Sequence, residues 1–427
     1  MREDRTYQLA IELLRSRRVQ RSAKSSAEVP LPKVSLPNGS PNFKGTPHIY
    51  GMKEWLKRLG HTEEHLNRLN VIHVAGTKGK GSTCTYVDSF LRSHSQRTGY
   101  PRKRGLYMSP FLDKHNEMIR IDSIPLSDAR FAEAFFEVWD GLRLSRDDAG
   151  TPRQLQILAI LSFHVFLKEE VDVAIYETHH GGQFDVTNIV ERPIVTAITS
   201  IGLDHQAELG ESIQNIAWHK AGIFKSGACA LSVPQMPAAE KVLQRRARDL
   251  GVDLEFVGMN QDMTGNFQHD KQKLNASLAR KACDAFLLCK RDKRLTQEDI
   301  ENGIRGFTLP GRFQVVQANG VTWCLDGAHN PMSASISAAW FRDLSKQEGA
   351  RNVVMFGIDS DRHDPDNTLR CLRDILGHSV SCVILTSDTG ALDEDRLNRY
   401  PTPFDLIPNL PGLLEQRVGV GSPEAEG

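Results

Sequence analysis

The segment from Val71 to Ser82 combines residue types that can bind a phosphate chain. Val71–Ala75 is largely apolar and β-branched, which is typical of a buried parallel strand, and residues 76–81 then hold three glycines and two lysines. From Ser82 to Leu91 the spacing is helical. A strand, a glycine turn and a helix N-terminus together direct backbone N–H groups and the positive end of the helix dipole at an anion.

Within this turn, Lys80 would place an ammonium at the phosphates, and the Ser82 hydroxyl would reach a bound Mg²⁺. The standard P-loop pattern is not met strictly, because Val74 stands where its first glycine is expected and Gly81 follows the lysine. The alternative is an ordinary strand–turn–helix connection that happens to carry lysines. We favour the anion site, because so many glycines in one turn are costly without a role.

Composition excludes several classes of protein. The 427 residues suggest two domains, and 40% hydrophobic with 25% charged residues is typical of a soluble globular protein. Lys plus Arg and Asp plus Glu are both 53, so we expect no general attraction to nucleic acid or to anionic membranes. No apolar run is long enough to span a bilayer.

Cysteine usage and the first residues bear on location. Seven cysteines occur without a C-x-x-C pair, which favours reduced thiols inside the cell over a zinc cage. The start, Met1-Arg-Glu-Asp, carries two acids and is not a secretory signal. We therefore expect a cytoplasmic protein, with a mitochondrial location as the alternative because residues 15–24 are basic and contain serine.

Two later strands should deliver polar residues to the same edge of the sheet. The strand Val171–Tyr176 leads into Glu177, and the strand Ile194–Thr199 leads towards His205. Ligands bind at the carboxyl ends of the strands in open parallel sheets. We therefore expect Glu177 and His205 to lie near the glycine turn.

Periodicity predicts the remaining elements of the first domain, and residues 22–46, rich in Pro, Ser, Gly and Lys, should form a loop. The predicted helices are Tyr7–Leu14, Met52–Leu59, Ser127–Leu142 with Ser127 as its cap, Gln154–Lys168, Ile213–Ala221, Pro237–Leu250, Leu274–Lys290 and Gln297–Ile304. The further predicted strands are Leu106–Phe111, Met118–Ile121, Ala228–Val233 and Val252–Val257.

The pattern restarts near Gly311 as a smaller α/β domain. Phe313–Gln317 and Val321–Leu325 flank Ala-Asn-Gly and predict a hairpin. Asp326-Gly-Ala-His-Asn-Pro then opens a helix to Leu344, and Val353–Gly357 and Val380–Thr386 follow as strands with a helix between them. We predict a nucleotide-binding domain over 1–306 and a second domain over 307–427, whose end beyond about 388 carries no periodicity.

Eight short motifs occur in the order in which one protein family carries them. They begin at His73, Tyr107, Ile119, Asp185, Gly202, Lys220, Pro310 and Asp326. With these motifs the chain resembles folylpolyglutamate synthase, a family of the Mur ligase superfamily. The resemblance implies an α/β fold: a P-loop-type parallel sheet domain flanked by helices, plus a smaller α/β C-terminal domain of Mur ligase type.

The resemblance also implies a reaction of one-carbon metabolism. ATP phosphorylates the terminal carboxylate of a reduced folate, and the amine of L-glutamate attacks the acyl phosphate. The implied cofactors are ATP and Mg²⁺, with a monovalent cation such as K⁺ as an option. The implied partners are small molecules only, with no nucleic acid and no membrane, and the protein would be a monomer whose second domain closes over the nucleotide.

By resemblance, roles fall on particular positions. The ATP phosphates would be held by Gly76, Thr77, Gly79, Lys80, Gly81 and Ser82. The Mg²⁺ positions match Ser109, Glu177 and His205, and nucleotide contacts from the second domain match Arg312 and Asp326. Lys80, Lys220 and His329 would act in catalysis, with Lys220 carbamylated as in many members of the superfamily.

Each position also has a structural interpretation. Ser109 before Pro110 could be turn chemistry, and Lys220 could be a solvated lysine on a helix. Glu177 could be a surface acid, His205 a hydrogen-bonded structural histidine and Asp326 the N-cap of a helix.

The sequence departs from the family pattern on the walls of the expected cleft. The departures are Phe111, Gln154, His179, His180 and His219. They leave two possibilities open: a paralogue that ligates an amino acid to a non-folate carboxylic acid, or a nucleotide-binding protein with impaired turnover. A P-loop phosphotransferase or NTPase switch is a third, but it does not need the Asp326 motif on a second domain.

Overall fold

The structure is a computed structural model that describes residues 5–17, 49–146, 152–345, 351–357, 365–376 and 380–386. The expected loop at 22–46 and the end beyond 388 lie outside these residues. The chain separates into two compact units, Met1–Pro310 and Gly311–Gly427, where the sequence predicts a boundary after residue 306.

An eight-stranded sheet forms the centre of the first unit. Its strands are β1 (Ile72–Ala75), β2 (Arg104–Tyr107), β3 (Ile119–Ile121), β4 (Ile124–Pro125), β5 (Val173–Glu177), β6 (Val195–Ile198), β7 (Cys229–Ser232) and β8 (Leu254–Phe256). The spatial order is β4-β3-β2-β5-β1-β6-β7-β8. The strands from β2 to β8 in this order are parallel, whereas β3 and β4 are antiparallel. The predicted parallel sheet is thus confirmed.

Helices cover both faces of this sheet. They are α1 (Tyr7–Ser16), α2 (Met52–Arg58), α3 (Glu63–Arg68), α4 (Lys80–Thr98), α5 (Asp128–Gly141), α6 (Gln154–Lys168), α7 (Gln206–Leu209), α8 (Ile213–Ala221), α9 (Pro237–Asp249), α10 (Asp270–Arg291) and α11 (Gln297–Arg305), with a 3-10 turn at His115–Met118. Side chains of β5 alternate between two cores: Ala174 and Tyr176 pack with α5 and α6, whereas Val173 and Ile175 pack with α4 and α10. None of the described helices is both long and apolar enough to cross a membrane.

Three local predictions in this unit were wrong. Leu106–Phe111 is not a single strand, because β2 spans Arg104–Tyr107 and the Ser109 amide donates to the Glu177 side chain instead of to a ladder partner. The helix after the glycine turn begins at Lys80 rather than Ser82, and α10 begins at Asp270 rather than Leu274. Gln154–Lys168, buried almost all round, was predicted with its observed bounds.

The second unit has two small pairs of strands. The elements are β9 (Gln314–Ala318), β10 (Val321–Leu325), α12 (Pro331–Leu344), β11 (Val353–Gly357), α13 (Pro365–Leu376) and β12 (Cys382–Thr386). The predicted hairpin is confirmed, since β9 and β10 pair antiparallel around Asn319 and Gly320, both at positive φ. β11 and β12 pair in parallel, with α13 between them in the chain.

Candidate active site

The glycine turn is fixed to the segment that follows β6. The amides of Thr77 and Lys78 both donate to the Ser200 carbonyl, at 2.9 and 3.2 Å. The Thr77 hydroxyl lies 3.1 Å from the Gly202 carbonyl and accepts from the Gly202 amide at 3.0 Å. These two amides therefore hold the turn in shape, and the backbone of Thr77 is not directed at a ligand.

Two glycines of the turn have no room for a side chain. Gly76 adopts φ 148°, and a Cβ there would lie 1.8 Å from Oγ1 of Thr199. Gly79, the N-cap of α4, adopts φ 93°, and a Cβ there would lie 2.5 Å from Oδ1 of Asn275. Close packing and positive φ together require glycine at both positions.

Two ion pairs lie at the start of α4. Lys80 Nζ is 3.8 Å from Oε1 of Glu177, whose residue is only 4% exposed, and Lys78 Nζ is 3.1 Å from Oδ2 of Asp204. The other oxygen of Glu177 accepts from the Ser109 amide at 3.2 Å. Glu177 is therefore not a surface acid: the end of β5 places its carboxylate between the first turn of α4 and the segment after β2.

His205 occupies a different part of this edge. It adopts φ 51° as the N-cap of α7, and its ring packs edge-on against His180 with 4.5 Å between centroids. Its Nε2 is 4.0 Å from Asp204 Oδ1. Across the residues that the structure describes, no group of three or more His, Cys, Asp or Glu side chains has the arrangement of a metal site. The geometry brings Ser109 to Glu177, and it places His205 with His180 and Asp204.

The donors at Ser109 and Glu177 fit Mg²⁺ in their chemistry. A hydroxyl and a carboxylate are hard oxygen ligands, and Mg²⁺ is commonly held by one or two protein oxygens together with substrate phosphates. Lys80 already lies near the same carboxylate. A bound cation and a phosphate chain would therefore share the neighbourhood of one lysine and one acid.

Lys220 is buried directly beneath the turn. It is 3% exposed on α8, and its Nζ donates to the Gly76 carbonyl at 2.7 Å. Burial, with the nearby charges of Lys80 and Lys78, lowers the pKa of this amine well below its ordinary value. The interpretation of Lys220 as a solvated lysine is thus wrong.

Two of the histidines that depart from the family pattern, His179 after β5 and His219 beside Lys220 on α8, lie near the glycine turn. His179 Nε2 is 2.9 Å from the hydroxyl of Tyr107, which is fully buried. Burial, with the charges of Lys220 and Arg246, lowers the pKa of His219 to about 4, so its ring is neutral at pH 7.

Asp185, also buried, organises the loop that holds these histidines. It accepts from the His180 amide at 2.8 Å and from the amide and hydroxyl of Thr187 at 3.0 and 2.6 Å. Burial alone would raise the pKa of Asp185, but the charge of His179 and the Thr187 hydrogen bonds outweigh it and the pKa is lowered. The Asp185 motif carried the resemblance, but nothing in the sequence indicated these partners.

Two further departures meet on one histidine. The Phe111 ring lies over His115 with 4.1 Å between centroids, and Gln154 Nε2 is 3.3 Å from His115 Nε2. His115 itself is 4% exposed. Sequence reasoning missed His115, because no spacing rule joins these three positions.

In the second unit, Asp326 and His329 lie on the loop before α12, and Arg312, which precedes β9, lies against Gly327 of that loop. Arg312 Nη1 donates to the Gly311 carbonyl at 2.8 Å, and a Cβ on Gly327 would lie 1.9 Å from that nitrogen. Asp326 accepts from the Phe313 amide at 3.0 Å and from a serine hydroxyl at 2.6 Å. His329 Nδ1 is 2.8 Å from the Gly327 carbonyl.

Asp326 is not the N-cap of α12. Asn330 has that role, because its side chain accepts from the Ser333 amide at 3.0 Å. The carboxylate of Asp326 instead closes the Arg312–Phe313 segment onto the end of β10.

Comparisons with known proteins agree with this architecture. The family model described as "Mur ligase, glutamate ligase domain" matches residues 311–400. Solved structures titled as the apo form of L. casei folylpolyglutamate synthase and as a folylpolyglutamate synthase–AMPPCP–folate complex align with TM-scores of 0.71 each. They cover 90% and 93% of this chain and 89% and 94% of their own chains. At 24% identity each, they show the fold.

Curated relatives extend the similarity to the sequence. A folylpolyglutamate synthase of Neurospora crassa is 37% identical over 392 residues, which cover 86% of this chain and 74% of the relative. A probable folylpolyglutamate synthase of Schizosaccharomyces pombe is 37% identical over 382 residues, 86% of this chain and 73% of the relative. Identity of this level over most of both chains shows that the protein belongs to the folylpolyglutamate synthase family.

Proposed function

We propose that the chain is an ATP- and Mg²⁺-dependent ligase that joins L-glutamate to the terminal carboxylate of a reduced folate. The observation that carries the proposal is the convergence of Lys80, Glu177 and Ser109 on the glycine turn, with Lys220 buried beneath it. This is the arrangement expected where negative charge gathers on a phosphate chain.

The residues would divide the work as follows. A carboxylate is a poor electrophile, so its phosphorylation by ATP supplies a leaving group before the amine attacks. Lys80 would neutralise the transferring phosphoryl group, and the N-terminus of α4 would add its partial positive charge. Glu177 and Ser109 would hold Mg²⁺, which when bound supplies further positive charge at the phosphates. His205, through its position beside Asp204, is proposed as the third group near the cation.

Lys220 is proposed to react with carbon dioxide and become a carbamate. The neutral amine is the nucleophile in that addition, and burial at 3% exposure favours the neutral form. The addition forms a bond from the nitrogen to carbon dioxide and releases one proton, so the product is an anion close to the charges of Lys80 and Lys78. Mass spectrometry of the intact protein under bicarbonate, with Lys220→Ala as the control, tests the modification.

From the second unit, Arg312 and Asp326 are proposed to contact the nucleotide and His329 a phosphate. The hydrogen bonds of Asp326 to the Phe313 amide and of His329 to the Gly327 carbonyl hold both side chains on one loop. The same proposal includes activation by a monovalent cation such as K⁺, a monomer, and a cytoplasmic location with mitochondria as the alternative. The nucleotide affinity of Arg312→Ala tests the nucleotide contact, and ADP release with and without K⁺ tests the activation. Sedimentation tests the monomer, and cell imaging tests the location.

The decisive experiment measures ADP release with Mg²⁺ and glutamate, with and without reduced folate, and identifies the products by mass. We expect folate- and glutamate-dependent ADP release and one added glutamate. Lys80→Ala should abolish it, whereas Lys57→Ala, on the exposed surface of α2, should not. ADP release that needs a different carboxylic acid would support the paralogue, and release without any acid would support a nucleotide switch.

A further inference from the structure

A polar groove lies on α4, far from the glycine turn. Ser89, Arg92, Ser93 and Gln96 project from one face of α4, as their spacing of three and four residues requires, and Asn302 and Arg305 meet them from α11. The groove has a volume of about 280 Å³, and the described residues that line it include no acid. Arg92 is twelve residues beyond Lys80, which corresponds to ~18 Å along the helix.

Both arginines of the groove lack an acidic partner. Within the described residues, neither Arg92 nor Arg305 has a carboxylate oxygen within 4.0 Å, unlike Arg97 one turn further along α4, which pairs with Asp299 at 2.7 Å. Arg305 Nη1 donates to the Asn302 amide oxygen at 3.3 Å. The groove therefore holds two positive charges that no carboxylate of the described residues pairs with.

Arg92 is held in place by a contact that uses only part of its donor capacity. Its Nη2 donates to the Gly306 carbonyl at 2.7 Å and lies 3.4 Å from the Ser89 hydroxyl. A Cβ on Gly306 would lie 2.4 Å from this nitrogen, so the glycine makes the approach feasible. The contact offsets the negative end of the α11 dipole, and it leaves the Nε and Nη1 hydrogens for another acceptor.

Ser93 adds a hydroxyl donor to the groove. The residue as a whole is only 7% exposed, and its side chain reaches the groove beside Arg92, its neighbour in the chain. A ligand that accepts hydrogen bonds would satisfy Ser93, Arg92 and Arg305 together.

We propose that this groove binds a phosphate-like oxyanion, either inorganic phosphate or the phosphoryl group of a small metabolite. Arginine presents several N–H donors in a plane that matches phosphate, and the groove is of a size for one such group rather than for a whole nucleotide. The inference stands apart from the proposed function, because it uses no residue of the glycine turn.

The test is calorimetric titration of inorganic phosphate, and separately of glycerol phosphate, into the full chain carrying Lys80→Ala, which weakens binding at the turn. We expect saturable binding to persist in this background and to weaken about tenfold when Arg305→Gln is added, as the loss of one charge-assisted contact implies. Arg248→Gln, which removes an exposed arginine of α9, is the matched control and should leave the affinity unchanged. Stronger binding of glycerol phosphate than of phosphate would identify a metabolite as the ligand.

Arg305 is the preferred position because it is exposed and makes no buried contact, so its variant should fold. Ser93→Ala is the second variant, and it should weaken binding while leaving thermal stability nearly unchanged, because it removes one donor of the groove without opening a large cavity. The absence of binding in the Lys80→Ala background, or equal affinity in the Arg305→Gln and Arg248→Gln proteins, would overturn the proposal.

Discussion

Gly79→Ala tests whether the shape of the glycine turn sets the position of Lys80. Gly79 caps α4 at φ 93°, where residues with a side chain are strained. The new Cβ would lie 2.5 Å from Oδ1 of Asn275, a residue of α10 that is 7% exposed. Either the turn rotates or Asn275 moves, and the next residue in the chain is Lys80.

The two costs can be estimated separately. Holding an L-residue at positive φ costs about 1–2 kcal/mol, and forcing Asn275 away from its preferred rotamer costs about 0.5–1.5 kcal/mol. We therefore expect the free energy of unfolding to fall by about 1.5–3.5 kcal/mol. Turnover should fall by about a hundredfold, because displacing a reacting group by about 1 Å has an effect of that size on the rate.

Gly99→Ala is the matched control at the other end of the same helix. Gly99 is the C-cap of α4 at φ 76°, and no heavy atom of the described residues would lie within 4 Å of its Cβ. Its variant should share the backbone strain, measured by urea denaturation, but keep wild-type ADP release. Gly79→Ala combined with Asn275→Ala should recover part of the turnover. Equal turnover in the Gly79 and Gly99 variants would refute the reasoning.

Three further predictions address single groups. Asp299→Asn should lower the free energy of unfolding at pH 7 by about 2–3 kcal/mol, a figure already reduced for the partial exposure of Arg97. Burial would raise the pKa of Asp299, but hydrogen bonds from Arg97 and Thr296 outweigh it and hold the pKa low. The stability from these bonds is therefore present above about pH 4 and lost in acid, where urea denaturation of the two proteins should converge. Because the pKa of Lys220 is lowered in the folded protein, the unfolded chain binds this proton more tightly. The free energy of unfolding of the unmodified protein, relative to Lys220→Met, should therefore rise as the pH approaches about 10. A difference in unfolding free energy that does not change with pH would contradict this. Glu177→Gln should reduce ADP release by about a hundredfold and raise the Mg²⁺ concentration for half-maximal rate, and an unchanged Mg²⁺ dependence would remove Glu177 from the cation site.

Elements that depend on local pattern were predictable. Gln154–Lys168 is apolar nearly all round, so its burial and both ends follow from the sequence, and Ser127 caps α5 as expected. The Ala-Asn-Gly hairpin follows from residues that tolerate positive φ. In each case the determining interactions lie within a few residues, where periodicity and capping rules apply.

Contacts between distant segments were not predictable in the same way. The turn is anchored through Ser200 and packed by Asn275, and neither residue lies near it in the chain. The sequence suggested Asp326 as a helix cap because it precedes a helix, but Asn330, directly before α12, is the N-cap. The four-residue helix α7 was missed because one turn is too short to show a helical period.

Charge at the turn explains how the site can be stable before any ligand arrives. Lys78 pairs with Asp204, and Lys80 lies 3.8 Å from Glu177. At the start of α4, each of these two lysines is therefore matched by one carboxylate. A phosphate chain adds negative charge that would draw Lys80 away from Glu177, and the Glu177 carboxylate could then hold a cation. ATP would take Lys80 from Glu177, and Mg²⁺ would take Glu177 from Lys80. We therefore expect each ligand to increase the affinity for the other. Lys80→Met should weaken that coupling, measured as the change in Mg²⁺ affinity on adding ATP, because Glu177 would then be without its lysine in either state. A coupling of the same size in Lys80→Met and in the wild type would show that the ion pair at the start of α4 does not link the two sites.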